Sequence, residues 1–278
     1  MNRDISLNVS DGLATLGPEA VEIRRMLERL FLSWAAECKA ETMLFPPLLR
    51  VRDLDGLDYF RNFPHLALMT AGIRPELLEE KYVGGAPVEV IQNTDLTPSN
   101  YALPSAACYS IYLHLRNASL DEPKYVTTVA SCFRNEKEYE GLKRLWAFTM
   151  REIVCIGPAN AVKEHLRSFK ERLLGFSNLI DMPLEVEAAS DPFYQSQSSR
   201  AIMQQVFPVK EEFVYGGSVA IASVNFHRNF FGERCNISTG DKEMAYSGCV
   251  AFGIERWLHA LFDRFQGDVE RIKEKLAV

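Results

Sequence analysis

The chain has 278 residues, 47% of them apolar and 24% charged, an ordinary globular balance with enough length for one large buried core. Its formal net charge is −6 and no block of like charges occurs, which argues against a basic surface built to grip a long nucleic acid. Met1-Asn2-Arg3-Asp4 leads into mixed polar residues rather than a secretory leader, no apolar run approaches the ~20 residues of a membrane helix, and six scattered cysteines fit a reducing, cytoplasmic setting.

In chain order, residues 17–40 predict an amphipathic helix, with Pro18 near its start and Ile23, Leu27, Leu30 and Trp34 at helical spacing. Phe45-Pro46-Pro47-Leu48-Leu49 predicts an extended edge segment, because consecutive prolines forbid a helix. Residues 56–71, with Gly56, Pro64 and several aromatics, predict a loop feeding a short element, and 106–118 predict a helix after Pro104-Ser105. Val126–Phe133 and Trp146–Ile156 predict two strands around the charged turn Lys137–Gly141. Gly157-Pro158 opens a helix over 159–181, with Val162, Leu166, Phe169, Leu173 and Ile180 on one stripe. Leu184–Ala189 and Ser218–Val224 predict strands, the second nearly all apolar and so central. A glycine-bearing strand-to-helix junction at 248–256, a helix through Arg264 and a charged tail helix close the chain. The pattern is one α+β domain over 1–278, antiparallel strands with helices segregated around them. Neither GxGxxG nor GxxxxGK[ST] occurs, so a nucleotide would be held without a glycine-rich cradle.

Two constellations carry chemistry together that neither carries alone. Phe133-Arg134-Asn135-Glu136 followed by Arg144 and Phe148 reads by itself as a charged surface hairpin, and Gly253-Ile254-Glu255-Arg256 as an ordinary helix start. In this order they resemble motifs 2 and 3 of the class II aminoacyl-tRNA synthetases, with the Pro46-Pro47 segment after a long helix resembling motif 1, a dimer-interface element in that family. The resemblance implies a class II synthetase-like antiparallel sheet flanked by helices, a homodimer, and ATP-dependent adenylation of a carboxylic acid with Mg2+. It implies that Arg134 bridges the α-phosphate and the substrate carboxylate, and that Glu136 accepts from the adenine amino group. Phe148 would stack on the adenine, Arg256 would cover its other face, and Arg144 would reach the γ-phosphate. The residue types suit the task, since guanidinium groups bind phosphate bidentately and keep their charge as negative charge builds on phosphorus.

A third constellation is Cys108, Glu152 and Cys249, too widely spaced for a zinc finger. Glu152 ends the strand after Phe148, and Cys249 immediately precedes the glycine of the third motif. The trio resembles the Zn2+ ligands of archaeal-type seryl-tRNA synthetases and, more closely, of the amino acid:[carrier protein] ligases related to them. That resemblance implies a zinc whose fourth position takes the substrate amino group. Cys132 reads as alternating to another face, and Cys155 and Cys235 as core. Ser223, Asn225 and His227 lie where the family contacts substrate, although His227 reads equally well as a structural loop histidine. The strand glutamate that binds Mg2+ in the synthetases is missing near Ala220, with Glu211 or Glu212 as substitutes.

The acidic charge, the few residues before the first motif and the short tail after the third leave no visible tRNA-binding module. The resemblance therefore implies transfer of a small amino acid, glycine or alanine, to the phosphopantetheine thiol of an acyl or peptidyl carrier protein, and makes tRNA the less expected acceptor. Lys163, Arg167, Lys170 and Arg172 on the 159–181 helix read either as a docking element for an acidic carrier or as a solvated face. A tRNA-charging fragment needing a partner, and a non-catalytic regulatory paralogue, are the alternatives.

Overall fold

A computed structural model describes residues 7–197, 202, 204 and 209–277; Met1–Asp4, read above as lacking a leader, lies outside these. The described residues start with a hairpin, β1 (Leu7–Ser10) and β2 (Leu13–Leu16), turning through Asp11 and Gly12. Both turn residues have positive φ, 52° and 73°, the backbone that an Asp-Gly pair accepts in a two-residue turn. The hairpin leads into α1 (Pro18–Glu37), where proline at the start supplies a fitting φ and lacks only an N–H that a helix start leaves unpaired. Its buried stripe is Ile23, Leu27, Phe31, Trp34 and Ala35.

Short elements follow: β3 (Glu41–Thr42), β4 (Leu49–Arg50), α2 (Val51–Gly56), α3 (Tyr59–Asn62), β5 (Leu68–Thr70), β6 (Tyr101–Leu103), α4 (Tyr109–His114) and β7 (Ser119–Leu120). The expected loop over 56–71 thus contains α3 and β5, pinned by Leu54 and Tyr59, which bury against Leu49 and Ala102. The helix expected over 106–118 is shortened to α4, which ends at His114, and the turn beyond it reverses through Asn117 with φ 65°. The long strands are β8 (Lys124–Phe133) and β9 (Ala147–Gly157), followed by α5 (Ala159–Leu179) and β10 (Glu185–Ala189). Then come β11 (Lys210–Tyr215), β12 (Val219–Arg228), the Phe230–Cys235 helix, β13 (Ser238–Thr239) and β14 (Tyr246–Gly253). Helices at Ile254–Arg264 and Val269–Leu276 complete the described chain.

Seven strands form the main sheet in the order β10-β11-β12-β14-β9-β8-β3, antiparallel except for the short edge pair β3 and β8. One face carries α1, α5 and the Ile254–Arg264 helix over a core of Phe31, Trp34, Phe169, Leu173, Phe252 and Trp257. Phe31 stacks on Phe252 at 4.0 Å. Fully burying a side chain of this size contributes roughly 1.5–3 kcal/mol, so this layer gives the sheet a rigid backing. The small sheet β4-β6-β5 supplies further strands, and the second core cluster gathers Ile111, Tyr112, Val154, Ile156, Phe231 and Ile237. Between these parts lies a cavity. No helix among the described residues is long and apolar enough to cross a membrane.

Candidate active site

Strand register sets which side chains share the cavity face. Directly paired residues point the same way, and the pairs Lys210↔Asn225, Glu212↔Ser223, Asn225↔Cys249, Ser223↔Ala251, Ala251↔Glu152 and Cys132↔Phe148 put all of these on one face. Cys132 is therefore on the same side as Phe148 and Glu152, not on another face as its neighbours suggested. It is buried, and burial first and the Glu152 charge second push its thiol well up. Cys155 and Cys235 are core residues as expected.

Cys108, just ahead of α4, joins Glu152 of β9 and Cys249 of β14. One ligand atom from each lies within 4.8 Å of the others, and all three residues are buried. Gly248 lets β14 lie directly on α5 here: a Cβ at that position would come within 2.8 Å of Val162 and 3.0 Å of the Asn225 carbonyl oxygen. Glu152 Oε1 accepts from the Ala107 N–H at 2.9 Å. Its Oε2 is buried and makes no hydrogen bond among the described residues. Burial pushes the Glu152 carboxyl up. The Cys108 thiol is raised well above its usual range by the Cys249 sulfur, by burial and by the Glu152 charge. Cys249 is held down by Cys108 but pushed up overall by burial and Glu152. Cys108, Glu152 and Cys249 could together hold a metal ion, since their ligand atoms converge and one carboxylate oxygen is left over for it, and two sulfurs with one carboxylate suit zinc.

Arginines gather on the other side. Arg134 Nε and Nη2 both donate to the Ser105 carbonyl at 3.4 Å, and its guanidinium lies 5.0 Å from the Phe148 ring centre. Arg256 donates through Nε to the Lys143 carbonyl at 2.8 Å and through Nη1 to the Ala220 carbonyl at 3.0 Å. Burial, then the charge on Arg134, lowers the Arg256 pKa. Arg144 Nη1 is 3.9 Å from Glu136. Glu255 belongs to the scaffold: it accepts from the Thr149 N–H at 2.7 Å and hydroxyl at 2.9 Å, locking the last motif to β9. A pocket of about 90 Å3 brings together Arg134, Glu136, Arg144, Phe148, Glu212, Ser223 and Arg256. Converging guanidinium groups of like charge are the setting a polyphosphate relieves.

The larger cavity, about 500 Å3, is lined by Cys108, Glu152 and Cys249 and by Arg134, Ser223, Asn225 and His227. It shares the wall residues Arg134, Met150, Lys210, Ser223 and Ala251 with the smaller pocket, so the two adjoin. Of the two candidate glutamates, Glu212 lines the smaller pocket, whereas Glu211 pairs with Lys170 of α5 at 2.6 Å. His227 lies within β12 rather than after it. Tyr59 was not legible as a site residue: it is buried, lines the cavity and leaves its hydroxyl without a hydrogen bond among the described residues.

A family model described as the tRNA synthetase class II core domain (G, H, P, S and T) matches residues 93–265. Amino acid–[acyl-carrier-protein] ligases 1 and 2 of Bradyrhizobium diazoefficiens are each 30% identical to the chain, over 81% and 84% of it, and in each case 72% of the relative is covered. The chain belongs to the amino acid–[acyl-carrier-protein] ligase family. This ligase is built on the class II synthetase core. Its fold superposes on Methanopyrus kandleri seryl-tRNA synthetase, solved with A. aeolicus tRNASec, with a TM-score of 0.81 at 20% identity. That superposition covers 97% of the ligase but 58% of the synthetase chain, and at this identity it speaks for the fold alone.

Proposed function

We propose that the protein activates a small amino acid with ATP and Mg2+ as an aminoacyl-adenylate and passes the aminoacyl group to the phosphopantetheine thiol of a carrier protein. The observation that carries the reading is that the two cavities adjoin along a wall that includes Arg134. One cavity holds a metal-type trio suited to an amine, the other a guanidinium cluster suited to a triphosphate, and the shared Arg134 stands where a carboxylate would meet phosphorus.

In this reading a carboxylate oxygen attacks the α-phosphorus, a P–O bond forms, and the bond to pyrophosphate breaks. Arg134 and Arg256 hold the charge that builds on the phosphoryl oxygens, Arg256 fixed in advance by its two carbonyl partners and Arg134 turning in from the Ser105 carbonyl. Arg144 receives the γ-phosphate, Phe148 supports the adenine ring once Arg134 turns to the phosphate, and Glu136 accepts from the amino group. Glu212 and Ser223, side by side in register, are the pair we assign to Mg2+. Cys108, Glu152 and Cys249 would hold the zinc, which when bound supplies an open coordination position for a neutral amine. The carrier thiol then attacks the carbonyl carbon, a C–S bond forms, AMP departs, and the thiol proton goes to the leaving phosphate.

The carrier is assigned to the larger cavity, whose lining includes the exposed Arg228; Arg234 beside it pairs with Asp58. The cations of α5 are engaged within the chain: Arg167 with Glu164 and Glu171, Lys170 with Glu211, Arg172 with Glu37, and Lys163 over the Phe226 ring. That helix also stands on the far face of the sheet. The test offers ATP and an amino acid with three acceptors: a phosphopantetheinylated carrier, the same carrier without the arm, and tRNA. Mass spectrometry should find the aminoacyl increment on the first alone. Charging of tRNA with the carrier untouched would favour the synthetase reading, and no product with any acceptor would favour a regulatory paralogue.

A further inference from the structure

We propose that His227 is a positioning residue for the metal trio, donating its Nε2 hydrogen to the Cys249 sulfur while Tyr112 and Ser247 fix its tautomer. The inference rests on the zinc reading above and adds what controls that zinc from behind its ligands. His227 sits at the register shift between Phe226 and Arg228, where β12 departs from regular pairing with β14. Its Nε2 is 3.8 Å from Cys249 Sγ. Its Nδ1 is 3.1 Å from the Tyr112 hydroxyl and 3.4 Å from the Ser247 hydroxyl.

The ring is held from the side as well. Phe231 meets it edge-on at 5.0 Å and stacks on Tyr112 at 3.9 Å. Tyr112 and Ser247 are wholly buried, so neither hydroxyl turns to solvent.

The donor inventory decides the direction of these contacts. A sulfur bound to zinc has lost its proton and can only accept. The Nε2 facing it must then carry the hydrogen, which makes Nδ1 an acceptor, and Tyr112 and Ser247 are the donors at hand. Any other tautomer sets two acceptors against each other at Cys249. Asn225 Nδ2 donates to the same sulfur at 3.4 Å.

The charge count explains why two donors converge there. Two thiolates and a carboxylate bring one more negative charge than a divalent cation cancels. Hydrogen bonds to Cys249 draw off part of that excess, orient the sulfur and leave the metal a stronger acceptor for an incoming amine.

The experiment compares wild type, His227→Leu, His227→Gln and Tyr112→Phe. Each protein is loaded with zinc and challenged with a colorimetric chelator. Each is also loaded with cobalt(II), and the sulfur-to-metal charge-transfer band is recorded. His227→Leu is expected to hold zinc about ten- to a hundredfold less well, and its band should move to longer wavelength as the sulfur loses a donor. His227→Gln, which keeps an N–H, should recover part of both effects, and Tyr112→Phe should fall between wild type and His227→Leu. If His227→Leu does not fold, Tyr112→Phe decides the matter, since it removes one oxygen and leaves the ring stack in place. Unchanged zinc retention and an unchanged band in the folded variants would overturn the inference while leaving the zinc reading intact. A wild-type protein that takes up no zinc would overturn both.

Discussion

In the proposed adenylation Arg134 and Arg256 would divide the work of charge stabilisation differently. Arg256 is pinned by two backbone carbonyls, at 2.8 and 3.0 Å, and is ready where it stands. Arg134 has two longer contacts to one carbonyl and lies over Phe148, so it has freedom to turn toward substrate. Replacing either with alanine should lower amino-acid-dependent pyrophosphate exchange by about a hundred- to a thousandfold, the effect of removing one fixed donor from a charge-building site. Lysine at 134 should not restore it, because a point charge cannot bridge two oxygens in one plane. Exchange kinetics for Arg134→Ala, Arg134→Lys and Arg256→Ala check this, and near-wild-type rates would contradict it. That these side chains would share one pocket was legible in the sequence, because the motifs keep them in order. Cys132 was misread because it sits at a strand end, where two residues of local alternation do not show which face the strand presents. Tyr59 carried no signal at all, since an aromatic in a loop-like stretch looks like core.

At the scale of elements, α5 and β9 share a titratable group that the chemistry does not use. His165 is buried beneath the sheet, with Nε2 3.2 Å from the Ile153 carbonyl, and burial lowers its pKa to about 4. An unfolded chain takes up the imidazole proton near pH 6.5, whereas the folded chain resists it until about pH 4. The unfolded state therefore binds more protons between these values, and stability falls as the pH drops from 6.5 toward 4. The full difference is about 3 kcal/mol for this one group. His165→Gln should flatten the acid side of a denaturation-midpoint profile over that window, and an unchanged slope would contradict the assignment. The α5 stripe itself was readable from helical spacing. In contrast, β11 was invisible because Lys210-Glu211-Glu212 looks solvated, although Glu212 turns to the cavity and Glu211 to α5. The β1–β2 hairpin went unread as well; its Gly12 carbonyl accepts from the Trp146 N–H at 2.8 Å and so braces the loop that carries Arg144.

For the whole molecule, register does what residue order alone cannot. Cys108, Glu152 and Cys249 come from an element boundary and two strands, and only the pairing of β9 with β14 brings the last two to one face. That they would converge was suggested by family resemblance and not by spacing. Surface composition bears on assembly: Leu44 is 77% exposed beside the Pro46-Pro47 segment, with Leu48, Met69 and Tyr101 also exposed in or next to the small sheet. A twofold dimer through this region would cover them. Sedimentation should give twice 31.5 kDa for the wild type and 31.5 kDa for a Leu44→Asp, Leu48→Asp variant; a monomeric wild type would contradict the dimer. The activity itself is tested most directly by ATP–pyrophosphate exchange with a panel of amino acids, run with zinc and again after its removal by a chelator. Adenylation of an amine-bearing substrate predicts exchange with one or a few small amino acids, lost without zinc and regained on its return. Exchange with no amino acid, or exchange indifferent to zinc and to Arg134→Ala, would contradict the account.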